Sequence, residues 1–564
     1  MKFKNYRYER PNLEEIERQF EHTINVLKNA VTADEQINAV NQINMTRRHY
    51  DTMALLCYVR SALNTNDAYY EKEQTFFDEN NPTYSSFEHR FETELLNSKF
   101  RNELEKKYGS QLFALLASKQ KTFKPEIISD LKDENRLITE YRKLTARAKI
   151  EFDGKINNLS QMGPYLTDSD RAVRREAEAA IACFFAANEE KFDNIFDRLV
   201  KIRNKIALKL GFKNFISVGY ARMNRTDYTD REVALYRRQI KKDLVPLVEK
   251  IISAKMKRLG ISDPKSYDLG INFKSGNPKP RGNSDELLAA ARKMYHELSP
   301  ETAEFIDFMT GHELLDLEAK KGKSGGGFCA YFFDYKSPFI FSNFNGTSGD
   351  VDVLTHEAGH AFQFYSSRDY RLMEYLSPTY EACEIHSMSM EFFAWPWMEL
   401  FFKNDADRYR YQHLAETLTF IPYGALIDEF QHAVYAHPHL TPTERKKAFR
   451  ELEKTYMPYK VYENEFFNQG TFWYRQSHIF SSPFYYIDYT LAQVCAYQFW
   501  LLDRKSHREA WDKYYRLCKL GGSMSFLALL TAVGLKNPFD EGTVKAITTE
   551  IKAYLDEFDQ SKLV

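Results

Sequence analysis

His356, Glu357, Ala358, Gly359 and His360 spell H-E-x-x-H. On a helix, residues four apart stand on one face, one turn above the other. Two imidazoles at that spacing can share one zinc ion, and a glutamate beside the first is placed to take a proton from water held by that metal. The pattern predicts a metal site at His356 and His360 and a general base at Glu357. A second pair, His312-Glu313, is followed by Leu-Leu-Asp316 and lacks the second histidine. The plain alternative for 356–360 is a solvated helix with two ordinary histidines.

The flanking residues favour a helix. Gly346 to Asp350 is turn-rich and offers Ser348 or Asp350 as a cap. Val351, Leu354, Ala358, Phe362 and Tyr365 then recur at helical spacing with no proline between them. The spacing predicts a helix from about 351 to 366. Asp352, one turn before His356, could accept the other ring N–H of a metal-binding histidine.

A hydrolytic zinc site needs three protein ligands and one open position. No H-x-x-G-x-x-H continuation follows Glu357, so the third ligand comes from further along the chain. Ser377-Pro378 reads as a helix start, with Ser377 as N-cap and proline at the first helical position. The helix that follows carries Glu381, Glu384 and Glu391 on one face, among Ile385, Met388, Met390, Phe392 and Phe393. Acids buried on an apolar helix are costly unless a metal or histidine meets them. Glu384, central on the stripe, is the first choice as third ligand, and Glu381 and Glu391 are supporting candidates. A wet acidic stripe is the alternative.

With these residues the chain resembles the thimet oligopeptidase and oligoendopeptidase F family of zinc metallopeptidases. In that family a glutamate ligand follows H-E-x-x-H by about 25 residues, inside acid-x-x-Glu, as Glu381-Ala382-Cys383-Glu384 does here. Asp352 and Glu391 also match family positions. Further likeness lies in Pro164-Tyr165-Leu166 with Asp170 to Arg174, in Arg203, Ala207 and Gly211-Phe212, and in the glycine-rich stretch 322–346. The run Gly325 to Cys329 is similar to the Bacillus-type branch, the PZ-peptidases. The resemblance implies one Zn²⁺ per chain on His356, His360 and Glu384. It implies a mainly α fold, with two helical lobes enclosing a deep substrate channel and a small β-sheet beside the zinc helix. The implied activity is hydrolysis of internal bonds in short unfolded peptides.

Amide hydrolysis also needs a donor for the developing oxyanion. His478 precedes Ser481-Ser482-Pro483-Phe484-Tyr485-Tyr486-Ile487-Asp488-Tyr489. The family uses a histidine followed by closely spaced tyrosines for substrate and oxyanion, which points to His478, Tyr486 and Tyr489. Pro483 interrupts the family spacing, so Tyr485 rivals Tyr486 and is a substrate-binding candidate. In a chain with 36 Tyr, a packed core helix is the alternative.

One region breaks the helical pattern. Phe328 to Asp334 and Pro338 to Phe344 read as a small hairpin leading into the zinc helix. A sheet edge there could pair with an extended peptide, with Gly326 and Gly327 as substrate-binding candidates. Gly322-Lys323-Ser324 is not a phosphate loop, because Leu317 stands where that pattern needs glycine.

The chain has 564 residues and a formal net charge of −1, which argues against a nucleic-acid partner. The longest apolar run, Phe526 to Leu530, is far short of a membrane span, and the charged N-terminus is no secretory signal. Six scattered cysteines read as reduced thiols, consistent with a cytoplasmic protein. Asn12 with Glu15 and Thr32 with Glu35 look like helix caps. Long helical stretches are expected near 13–30, 33–64, 85–118, 125–159, 168–210, 230–259, 405–435, 442–456, 484–505 and 540–558. By position the chain divides into an N-terminal helical lobe, 1–165, and a catalytic region, 166–564. A zinc carboxypeptidase or dipeptidase on the same framework is the alternative enzyme, and a peptide-binding protein with structural zinc the alternative outside enzymes. Oligomeric state and side-chain preference are not expressed in these patterns.

Overall fold

A computed structural model describes residues 1–563. The chain is mainly helical, with five short strands among the described residues: β1 (Ile150–Phe152), β2 (Lys155–Asn157), β3 (Leu315–Glu318), β4 (Phe328–Phe332) and β5 (Ser337–Phe344). No helix among them is long and apolar enough to cross a membrane. Two compact units emerge, each made of three chain segments. The first is Met1–Gln120, Lys279–Lys403 and Ala496–Leu535, and the second is Lys121–Pro278, Asn404–Cys495 and Lys536–Val564. This interleaved partition differs from a single division at 165/166, which falls inside the second unit.

In the first unit the N-terminal helices begin where the caps predict. Asn12 accepts the N–H groups of Glu14 and Glu15 before Leu13–Asn29, and Thr32 accepts that of Glu35 before Ala33–Leu63. The stretch expected at 85–118 is three helices, Ala68–Leu96, Arg101–Tyr108 and Ser110–Gln120. Gly109, at φ 86°, breaks the last two apart.

The expected hairpin exists as β4 and β5, antiparallel from Phe328↔Phe341 to Phe332↔Ser337. A third strand, β3, adds parallel to the other side of β5, so the order is β3-β5-β4 and β4 is an edge. Lys323 ties this sheet together. Its buried ammonium donates to the Asp316 carboxylate at 2.6 Å and to the Glu318 carbonyl at 2.8 Å, and also meets the Ser342 carbonyl. The lysine of Gly-Lys-Ser is therefore a structural tie.

In the second unit, the stretch expected at 125–159 is the helix Ile128–Ala146 followed by the β1–β2 hairpin. Asp153 and Gly154 both have positive φ, 53° and 68°, as a tight two-residue hairpin turn requires. The stretch at 168–210 is two helices, Arg171–Ala187 and Glu189–Lys209. Buried ion pairs fix the long helix Ala406–Ala436 and its neighbours. Arg203, fully buried, meets Glu134 at 2.7 Å and the Tyr435 hydroxyl at 2.8 Å. Removing one partner of such a pair strands a buried charge, at a cost of about 3–5 kcal/mol.

Candidate metal centre

The H-E-x-x-H residues lie on the helix Gly349–Ser367 of the first unit. Asp350 organises its start. The Asp350 carboxylate accepts the N–H groups of Asn345 and Gly346, each at 2.8 Å, and so folds the preceding turn back onto the helix. The helix carrying the acidic stripe is Tyr380–Phe393, with Thr379 in the N-cap position. The start expected at Ser377-Pro378 is displaced. Residues 374–377 are held against Gly521 and Gly522 instead. The Gly522 N–H donates to the Tyr375 carbonyl at 2.9 Å, and a Cβ on Gly522 would sit 2.3 Å from the Ser377 carbonyl oxygen. Ser377 Oγ then contacts the Cys383 thiol at 3.1 Å rather than capping.

The two helices cross very closely at Gly359. A Cβ there would lie 2.6 Å from both the His386 carbonyl oxygen and Ser387 Cα. Only glycine permits that approach, at a helix-propensity cost of about 1 kcal/mol relative to alanine. The crossing brings Glu384 to both histidines. Glu384 Oε2 is 3.3 Å from His356 Nε2 and 3.4 Å from His360 Nε2. The three donor atoms lie within 4.8 Å of one another, in the one such cluster found among the described residues. Bonds of about 2.0–2.1 Å to a tetrahedral ion would separate its ligands by about 3.3–3.4 Å. The spacing to both histidines and the donor set of two imidazoles and one carboxylate both fit zinc.

Glu391, two turns beyond Glu384 on the same helix, supports the cluster. Its Oε1 is 2.7 Å from His356 Nδ1, so the ring's far nitrogen is engaged while Nε2 faces Glu384. The sequence offered Asp352 for that contact; the structure gives it to Glu391, and Asp352 lies one turn earlier, half-exposed. Glu381 is buried in the first turn of the acidic helix.

The electrostatics follow from burial and pairing. Burial opposes charge on His356, but hydrogen bonds to Glu384 and Glu391 overcome it and raise its pKa well above the usual imidazole value. Burial likewise opposes charge on Glu384, yet His360 and His356 hold it ionised well below the usual carboxylate range. Glu357 is pushed upward by burial, with the two histidines pulling the other way. A carboxylate with a raised pKa is suited to accept and return a proton.

Glu357 points towards the entry to β4. A Cβ on Gly327 would stand 3.8 Å from Glu357 Oε1 and 3.0 Å from Val353. The absence of a side chain there leaves the backbone just before β4 beside the carboxylate. Gly326, at φ 92°, gives its carbonyl to Asn343 Nδ2 at 2.8 Å, which ties the glycine loop to β5. Asn343 and Gly359 are positioning residues that sequence patterns did not single out. Gly359 carried a signal, a helix-interior glycine between the two histidines; Asn343 carried none.

His478, Tyr485, Tyr486 and Tyr489 cluster in the second unit. The His478 ring lies 4.8 Å from Tyr486, 5.6 Å from Tyr485 and 5.9 Å from Tyr489, centroid to centroid. His478 sits on its own short helix, Ser477–Ser481, and Tyr486 opens the helix Tyr486–Asp503. Between them the chain turns through Phe484 at φ 69°, a left-handed conformation disfavoured for an aromatic residue. The turn is pinned on both sides. Gln431 Oε1 accepts the Phe484 N–H at 3.0 Å, and Arg225 donates to the Phe484 carbonyl and to Asp488. Burial pushes the Tyr486 hydroxyl pKa up, against the pull of Arg475, so it is a neutral O–H donor.

Sequence profiles match two parts of the chain: "Peptidase M3 N-terminal domain" over residues 3–123 and "Peptidase family M3" over residues 165–549. The chain belongs to peptidase family M3. Among solved structures, PZ peptidase A with an inhibitor is 50% identical with a TM-score of 0.95, covering 99% of this chain and 100% of that one. A protein from Bacillus anthracis str. Ames, provisionally assigned as an oligoendopeptidase F, is 49% identical with a TM-score of 0.91, covering 100% of this chain and 99% of that one. This M3 chain shares their mainly helical fold. A curated relative, the oligoendopeptidase F homolog of Lactococcus lactis subsp. lactis (strain IL1403), is 23% identical over 209 residues, 36% of this chain. The chain spans 33% of that relative's length.

Proposed function

We propose that this M3 chain is a zinc-dependent oligoendopeptidase that hydrolyses internal bonds of short, unfolded peptides. The observation that carries the reading is the convergence of His356 Nε2, His360 Nε2 and Glu384 Oε2 beside the buried Glu357. Zinc, when bound, supplies Lewis acidity towards the scissile carbonyl and lowers the pKa of water. Glu357 holds the proton taken from water on its carboxylate and returns it to the leaving amine. Glu391 orients His356 through Nδ1, which leaves Nε2 for the metal.

The recessed base favours an extended substrate. The β4 edge ends in a glycine backbone beside Glu357, so a peptide pairing along that edge would pass its main chain by the base. Main-chain pairing tolerates many side chains. Tyr486, with Tyr489 and His478 beside it, supplies the neutral hydroxyl that binds the developing oxyanion, and Tyr485 contacts substrate. All six cysteines are free thiols, which suits a reducing compartment such as the cytoplasm.

The test is mass spectrometry of digests of peptides blocked at both ends. Internal cuts that vanish with a chelator and return with zinc support the reading. Cuts confined to peptides with a free end would replace it with an exopeptidase.

A further inference from the structure

The second unit contains a cavity of about 500 Å³, within the roughly 300–1,000 Å³ typical of ligand sites. Three helices wall it, Arg171–Ala187, Val245–Leu259 and Ala406–Ala436, together with loops near 266–272 and 457–476. Tyr486 and Tyr423 form part of the wall. The Tyr423 hydroxyl donates to Gln476 Oε1 at 3.0 Å, and Gln476 Nε2 lies 2.8 Å from His478 Nδ1. The cavity thus shares side chains with the element assigned above to the scissile carbonyl.

Its charges are unbalanced. Lys255, Arg258, Lys460 and Arg475 line it against two carboxylates, Glu178 and Glu416. Lys460 is paired with Glu453 at 3.2 Å. The two lining carboxylates hydrogen-bond to neutral donors, Ser266 Oγ at 2.6 Å from Glu178 and Asn272 Nδ2 at 2.9 Å from Glu416, while Lys255 acts on Glu416 and Lys460 and Arg475 act on Glu178 only through space. Arg258 Nε and Nη1 are buried with no hydrogen-bond partner, while Nη2 reaches only the Asn272 carbonyl at 3.3 Å. Buried guanidinium N–H groups without acceptors are costly until one arrives. Arg475 is exposed, and its guanidinium lies 5.0 Å from the Phe472 ring centroid. A guanidinium held over an aromatic face keeps its N–H edge available for a carboxylate.

We infer that this cavity receives a carboxylate of the peptide substrate, with Arg475 and the half-buried Arg258 as its partners. The inference rests on the peptidase reading and adds to it a preference for acidic peptides. Two groups carry that chemistry, the terminal carboxylate and an aspartate or glutamate side chain. Lys255, whose ammonium already donates to the Leu269 carbonyl at 2.6 Å, adds positive potential without being a direct partner.

The test uses N-terminally blocked peptides with one scissile bond, ending in a carboxylate or a carboxamide, and a second series exchanging Glu for Gln at each position. The expected result is a preference of about tenfold or more in kcat/KM for one acidic form. A preference set by the terminus identifies the terminal carboxylate; one set by Glu at a fixed distance from the cut identifies a side chain. In Arg475→Gln the acidic-to-neutral ratio collapses towards one, and in Arg475→Lys it is partly restored. Equal rates for acidic and neutral peptides, or an undiminished ratio in Arg475→Gln, overturn the inference. Fluorescence anisotropy with the same peptides labelled, on the Glu357→Gln variant, reads the preference without turnover. If nothing is cleaved, the peptidase reading fails while anisotropy still decides whether the cavity selects carboxylates.

Discussion

The metal cluster in the first unit and the histidine–tyrosine cluster in the second are built by different means. The first stands on two regular helices that meet at one glycine. Its candidate ligands are fixed by helical periodicity and by the close crossing of Gly359 over His386 and Ser387. The second stands on a short helix, a strained turn and a helix start, held by Gln431 and Arg225. On the proposed roles, the comparison teaches that donors to a metal are placed by rigid elements, whereas a donor to a transient oxyanion is aimed by a pinned turn.

Substitutions in the two regions should separate accordingly. The largest effect is expected for Glu384→Ala, which removes the carboxylate shared by both histidines. Zinc content by elemental analysis should fall towards zero, and cleavage with it; normal zinc content would move the ligand role to another residue. Next, Tyr486→Phe should lower kcat by about 10²–10³ with zinc content unchanged. If Tyr485→Phe or Tyr489→Phe does so instead, the donor is reassigned within the same cluster. If Tyr486→Phe lowers zinc content, the two regions do not divide metal binding from carbonyl binding.

Smaller effects sharpen the first region. Glu391→Gln should weaken zinc binding by about 10–100-fold, because the charged partner of His356 Nδ1 is lost. The pH dependence has a definite sign. In the metal-free chain His356 has a raised pKa, so below that value the ring is protonated and Nε2 cannot serve as a ligand. Zinc affinity measured by calorimetry should therefore rise with pH from 6.5 upward, by up to about tenfold per unit, with proton release on binding. Glu391→Gln should shift this rise to lower pH. A flat profile would show that His356 does not exchange its proton for the metal.

Much of the first region is legible in the sequence. Four-residue spacing places His356 and His360 on one face, and steps of three and seven place Glu381, Glu384 and Glu391 on another. Which carboxylate meets the far nitrogen of His356 is not legible, because that depends on where the two helices cross. Glu391, rather than Asp352, therefore takes His356 Nδ1. The start of the acidic helix also escapes local rules, since Ser377-Pro378 has good capping residues but is held by Gly521 and Gly522, some 145 residues away. In the second region, composition shows a histidine and three tyrosines, but the φ of Phe484 that orients them depends on long-range partners. The long helical stretches are likewise legible as helix, while breaks such as Gly109 and the Asp153-Gly154 hairpin subdivide them. The interleaving of the two units has no local signature.

The most direct test is Glu357→Gln, assayed for zinc content and peptide cleavage on the same preparation. Removing a general base while leaving the ligands in place should preserve zinc at the wild-type level and reduce cleavage of doubly blocked peptides by about 10²–10⁴-fold. Cleavage near the wild-type rate with zinc retained would contradict the assignment of Glu357, and loss of zinc would show that Glu357 belongs to the metal's ligand set.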